Sequence, residues 1–366
     1  VPTSDVLSAT ALAERTRSLC AISSPIGQEA AICDDVERWA KNHFAPSQIR
    51  RVSHSLVLGD VEDARPTLAL VGHLDTVPAH PGDGTARIEG HRVFGLGASD
   101  MKGGLAVMQA LAEVLPRKQL ALNLLLVLYE REEGPYPENG LEPLFAAVPA
   151  LSKLRLAICM EPTDGEVQLG CVGGLHATLS FRGKSAHSAR PWQGENAIHK
   201  AGELLHELHQ RERTRVEVQG LEFFEVLSAT LAQGGRARNV IPECFEINVN
   251  YRFAPGKSIE QAERELTDFV RGRAEVLVTD RSPSGRVCLD NPLVQRLIHS
   301  DGLAVRVGSK QAWTDVARFG VRGVDAINYG PGETAQAHQA NESAPIEALE
   351  HAAKHLEKFL RSARAD

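Results

Sequence analysis

Short apolar runs recur along the chain, and several of them close on an acid or a histidine. TLALVG stops at His73 and Asp75, GLGAS leads into Asp100, NLLLVLY is followed by Glu132 and Glu133, and LRLAICM ends at Glu161. Towards the C-terminus the run around DAIN is followed by a loop that carries His338. Runs of this length read as strands buried on both faces. They place strands at 67–71, 121–128 and 154–159, with helical patterns at 5–20, at 102–115 (stopped by Pro116) and from about 141. Such alternation predicts an α/β fold built on a doubly wound, mostly parallel sheet. Residues just past the strand ends of such a sheet gather at its carboxyl edge, where open α/β folds place their sites, however far apart they stand in sequence.

Between residues 175 and 285 the pattern changes. Ala197, Ile198, Ala201, Leu204, Leu205 and Leu208 share one face of a helix predicted over 195–210, and Ile259, Ala262, Leu266, Phe269 and Val270 share one face of a second. Phe245, Ile247, Val249, Tyr251 and Phe253 alternate with Glu246, Asn248, Asn250 and Arg252, the period of a strand with one face covered. With strands at 177–181, 226–232 and 275–279 the order is β-α-β-β-α-β, a small α+β sandwich inserted into the larger domain. After 291 the first pattern resumes with a strand at 303–307, a helix at 314–319, a strand at 324–328 and a helix at 345–360. The expected division is therefore 1–174 with 286–366, and 175–285 as the insert.

Length supports this division, since 366 residues exceed the usual size of one core. A net charge of -7 offers no electrostatic footprint for nucleic acid or an anionic membrane. Residues 1–19 lack the basic start and apolar stretch of a signal peptide, and no run approaches the roughly 20 apolar residues of a membrane span. A cytoplasmic location is expected. The six cysteines are widely spaced with no C-x-x-C pair, which predicts reduced, mostly buried thiols.

Singly, each acid or histidine has an ordinary structural explanation. His73 and Asp75 could cap a strand, and Asp100 could cap a helix. The adjacent Glu132 and Glu133 resist such an account, because two carboxylates at the end of a very apolar strand repel unless a cation or a proton intervenes. In His73-Leu74-Asp75 the period of two points both side chains the same way, so Asp75 can support a metal-bound imidazole. Two histidines and three carboxylates, one of them shared, are what two cations about 3.5–4 Å apart require.

In order and spacing, GHLDTVP, SDMKGG, EEG, MEPT and AHQANE resemble the co-catalytic zinc aminoacylase and carboxypeptidase family, over nearly the whole chain. GKSAHSARPW, ENAIHK, NVIP, NYRFAPG and QAWTDVARF are most similar to its desuccinylases of actinobacterial type. The resemblance implies that His73, Asp100 and Glu161 hold one metal and Asp100, Glu133 and His338 the other. It also implies that Glu132 is the base, that Asp75 supports His73, and that the insert is a lid through which the chain forms a homodimer. His187 would complete the partner's site as an oxyanion donor, and Asn239 and Arg252 would bind substrate carboxylates. The implied cofactors are two divalent ions, zinc first, with cobalt or manganese also suited to the donors. The implied reaction is hydrolysis of N-succinyl-LL-diaminopimelate to succinate and LL-diaminopimelate. The alternatives are a deacylase for another N-acyl amino acid, such as acetylornithine, or a metallo-carboxypeptidase or dipeptidase. Many desuccinylases carry an arginine-rich segment after the sheet, where this chain reads GCVGGLH over 170–176, so the acyl group is a question for substrate comparison. A metal-binding protein without activity would dispense with Glu132, which is present, and Asp100 occupies the third glycine position of a dinucleotide loop.

Overall fold

In the computed structural model, which describes residues 3–300 and 305–363, four parallel strands form the middle of the larger sheet. These are Asn123–Tyr129, Thr67–His73, Leu156–Cys159 and Ala326–Asn328, neighbours in that order. They are buried almost throughout, because helices pack against them and leave no polar face. An antiparallel hairpin, Ile49–Val52 and Ser55–Leu58, extends one side, and Val167–Leu169 and Val307–Ser309 extend the other, completing eight strands. All four central strands run the same way, so the loops after residues 73, 129, 159 and 328 leave from one edge of the sheet.

The helices Ala9–Cys20, Gly103–Val114 and Ile346–Ser362 pack on one another and cover part of this sheet. The second approaches closely because of its glycines: a Cβ at Gly104 would lie 2.6 Å from the Met160 carbonyl oxygen. The helix expected over 5–20 is two helices, since Ser8 accepts a hydrogen bond from the Ala11 N–H and so starts a new one. Of the strand expected at 303–307, residues 303 and 304 lie outside the described residues, and the strand formed is Val307–Ser309.

The chain divides into two units, 1–170 with 288–308 and 318–366, and 171–287 with 309–317. The second unit is built on a five-stranded antiparallel sheet in the order Thr214–Val218, Leu221–Gly234, Cys244–Phe253, Gly173–Arg182, Glu275–Ser282. Phe245, Ile247, Val249, Tyr251 and Phe253 turn to the side carrying Ala201, Leu204, Ala262 and Leu266, while Glu246, Asn248, Asn250 and Arg252 face away. The helix expected over 195–210 breaks at Ala201 into Ala197–Lys200 and Gly202–Gln210. Thr214–Val218, which the sequence pattern did not suggest, pairs only with residues 221–225, so on that side residues 226–234 have no neighbouring strand among the described residues. Among the described residues, which include all six cysteines, none forms a disulfide. Among the described residues, no helix is long and apolar enough to cross a membrane.

Candidate metal centre

His73 is the last residue of its strand and is fully buried. Its Nε2 lies 3.1 Å from Asp100 Oδ1, and its Nδ1 lies 3.0 Å from the Asp75 main-chain oxygen. The Asp75 carboxylate is 3.6 Å from that nitrogen, within ion-pair reach of a charged ring, and has further partners. Its two oxygens accept the main-chain N–H groups of Glu132 and Glu133 at 3.0 and 2.9 Å. Asp75 thus anchors the turn that carries both glutamates.

Asp100 sits in a short irregular helix, Ala98–Lys102, with non-helical backbone at Asp100 itself (φ -121, ψ 90). Its second oxygen, Oδ2, is 3.7 Å from Nε2 of His338, and that same nitrogen is 3.0 Å from Glu133 Oε1. Ligand atoms of His73, Asp100 and Glu133 lie within 4.8 Å of one another. Glu161 is buried just past its strand and near enough to draw positive charge onto His73. Gly330 and Gly332 stand in the loop ahead of His338. Both are buried, and a Cβ would meet Met160 O at 2.2 Å and Ser99 O at 2.4 Å, so close packing is what requires glycine here.

The donor set fits divalent cations. Without one, the hydrogen bond that the His338 ring donates to Glu133 lifts the His338 pKa to about 9, against the opposing effect of burial. Burial also works against a charged His73, but Asp100 and Asp75 outweigh it and raise that ring well above its ordinary value. Carboxylates placed so that they hold protons on two imidazoles in the metal-free state are placed to bind a cation when those protons leave. Imidazole nitrogen with carboxylate oxygen suits zinc, and also cobalt or manganese.

Sequence reasoning missed one residue of this centre. Glu342 is buried, and its carboxylate accepts N–H groups of Gly97, Ser99 and Asp100 at 2.7, 2.8 and 2.8 Å. Burial pushes it up to about 7 against the pull of those donors. In the sequence it is the acid that closes AHQANE, four residues after His338, and that motif assigns it no role.

His187, Asn239 and Arg252 belong to the second unit. The first two are neighbours: Ala186–His187 pairs with Val240–Ile241, and the Ser188 N–H donates to Asn239 O at 2.9 Å. The His187 ring is exposed, and its Nδ1 accepts the Ala189 N–H at 3.0 Å. Arg252 is half-buried on the sheet face away from the helices and has no hydrogen bond or ion pair among the described residues.

A succinyl-diaminopimelate desuccinylase of Corynebacterium glutamicum is 32% identical to this chain over 94% of it and 95% of its own length. A Mycobacterium tuberculosis protein provisionally named for the same activity is 36% identical, over 95% of this chain and 97% of its own. The crystal structure of aminopeptidase PepT from Bacillus cereus superposes with a TM-score of 0.77 at 19% identity, over 97% of this chain and 99% of that one. The model of peptidase family M20/M25/M40 matches residues 69–362, and the chain belongs to that family.

Proposed function

We propose that this protein is a two-metal amidohydrolase that cleaves N-succinyl-LL-diaminopimelate to succinate and LL-diaminopimelate. The observation that carries the chemistry is Asp100, whose two oxygens address two different histidines, Oδ1 towards His73 and Oδ2 towards His338. A carboxylate so placed is a shared ligand. His73, Asp100 and Glu161 hold one cation, and Asp100, Glu133 and His338 hold the other. When bound, such a pair supplies Lewis acidity at the scissile carbonyl and makes water acidic enough to attack near neutral pH.

The remaining work falls to the chain's own side chains. Glu132, whose main chain is pinned by Asp75, takes the proton of the attacking water and returns it to the departing amine nitrogen. His187 donates to the oxyanion, and Arg252 and Asn239 receive substrate carboxylates. Similarity to the two actinobacterial proteins over nearly their whole length supports the succinyl substrate.

We further propose a homodimer, joined through the second unit and with His187 serving the partner's site. Among the described residues, no strand pairs with 226–234 on one side, and 228–234 are exposed, Leu231 by 72%; such edges are normally covered. Antiparallel pairing with its own copy gives the two-fold arrangement most common in homo-oligomers.

Metal analysis, chelation and a substrate panel of succinyl, acetyl and dipeptide amides test this reading. We expect two divalent cations per chain, loss of turnover on chelation, and preference for the succinyl substrate. Glu132→Ala is expected to keep its metals and lose turnover, since Glu132 is not a ligand. Full activity in metal-free protein rules out the mechanism, and preference for another acyl group rules out the substrate.

A further inference from the structure

The Glu342 carboxylate has no part in the chemistry proposed above, yet it is placed where charge is costly. It is 2% exposed, and at hydrogen-bond distance among the described residues it meets only three main-chain N–H groups. Oε1 takes those of Ser99 and Asp100, and Oε2 takes that of Gly97, which stands at φ +82 in the left-handed region open to glycine. The successive N–H groups of Ser99 and Asp100, joined by that of Gly97, turn inward about the carboxylate as a nest does about an anion, here closed on a side chain of the same protein.

What the nest holds is the main chain of the shared ligand. One of the three donors is the N–H of Asp100 itself, in a stretch where the helical pattern is interrupted and neighbouring turns do not set the backbone. A small rotation there swings both carboxylate oxygens. The other end of Glu342 is equally tied: it follows His338 by four residues and precedes Ser343–Pro345, which pairs with Arg92–Phe94. The Ser99 hydroxyl adds a second link, donating to Ser343 O at 3.0 Å while accepting the Glu333 N–H at 3.1 Å.

Resting on the reading of Asp100 as the ligand common to both cations, we infer that Glu342 is the positioning residue of the centre. One buried carboxylate sets the Asp100 oxygens and, through its own loop, the place of His338 relative to them. Side chains supporting metal ligands from behind typically change metal affinity or activity by about 10- to 100-fold when altered. Because Asp100 is shared, the loss falls on both cations.

The test is titration of the metal-free protein with Co2+, followed by its visible absorption, in the wild type, Glu342→Gln, Glu342→Asp and Glu161→Gln. Glutamine turns an N–H2 group towards one of the N–H donors and breaks the nest without changing its size. We expect Glu342→Gln to weaken both binding steps by about 10-fold or more, with kcat recovering at high Co2+ and KM unchanged, whereas Glu161→Gln weakens one step. If Glu342→Gln does not fold, Glu342→Asp decides by the same measurement, since it keeps the charge but withdraws it by one methylene. A residue that only stabilises the fold lowers the melting temperature and leaves the affinities of the folded protein alone. Affinities within about 2-fold of wild type, or a loss confined to one step, overturn the inference. A wild type that fails to take two cations overturns the two-metal reading itself, and this inference with it.

Discussion

Arg252 gives the sharpest test of how the substrate is held. Its guanidinium is half-buried at the end of Cys244–Phe253, across the ladder from Gly174, where a Cβ would stand 3.0 Å from Nη1. Burial pulls its pKa down, Asp280 pulls it back up, and no acceptor among the described residues is hydrogen-bonded to it. A charge that has lost part of its water without gaining a hydrogen-bonded partner is a cost carried by the free protein, and under the proposed function a substrate carboxylate would relieve it. Truncating one member of such a buried charged pair costs about 2–5 kcal/mol, which is roughly a 30- to 5,000-fold fall in kcat/KM. The fold loses no ion pair, so Arg252→Ala is expected to keep the wild-type melting temperature within a few degrees. Arg252→Lys keeps the charge but not the two-pronged geometry, and is expected to fall between. The assay is kcat/KM for the succinyl substrate and for analogues with one carboxylate converted to an amide. With the analogue lacking the contacted carboxylate, wild type and Arg252→Ala converge. An unchanged kcat/KM for Arg252→Ala, or an equal loss on every analogue, refutes the assignment.

Two further outcomes are expected. Equal amounts of His187→Ala and Glu132→Ala, mixed under conditions that exchange subunits, should regain about one quarter of wild-type activity, since about half the dimers are mixed and each has one intact site of two. No recovery despite demonstrated exchange places His187 in its own chain's site or in none. Arg318 is fully buried against the Tyr136 ring and carbonyl, with Glu142 as an ion-pair partner that is 38% exposed and keeps Arg322, so Arg318→Met should cost about 1–3 kcal/mol, chiefly from the Tyr136 carbonyl left without this donor. A loss below about 1 kcal/mol in chemical denaturation shows that the pair does not hold the segment after Glu133.

The strands bearing the centre were legible because burial on both faces leaves unbroken apolar runs, and for the same reason so was the position of His73 at the end of its strand and of Glu133 and Glu161 shortly after theirs, whereas His338 lies ten residues beyond Asn328. Elements made by local polar contacts were not. Ser8 divides one predicted helix into two, and the hairpin of IRRV and SLVL is too short to carry a period. The stretch 309–317 reads like its neighbours in sequence but packs with the second unit, a matter of contacts distant along the chain. At the centre itself the sequence marks which side chains are present but not what their oxygens face. The Asp75 carboxylate stands 3.6 Å from the His73 ring it is expected to support and also holds the Glu132 and Glu133 main chain, and Glu342 holds that of Asp100. In both cases the partner is an N–H group, which nearly every residue possesses. A carboxylate meeting an arginine leaves two letters in the sequence, whereas one meeting a nest leaves a single acid that reads as an ordinary surface charge. The parts that hold the ligands still are therefore the parts that only the folded backbone reveals.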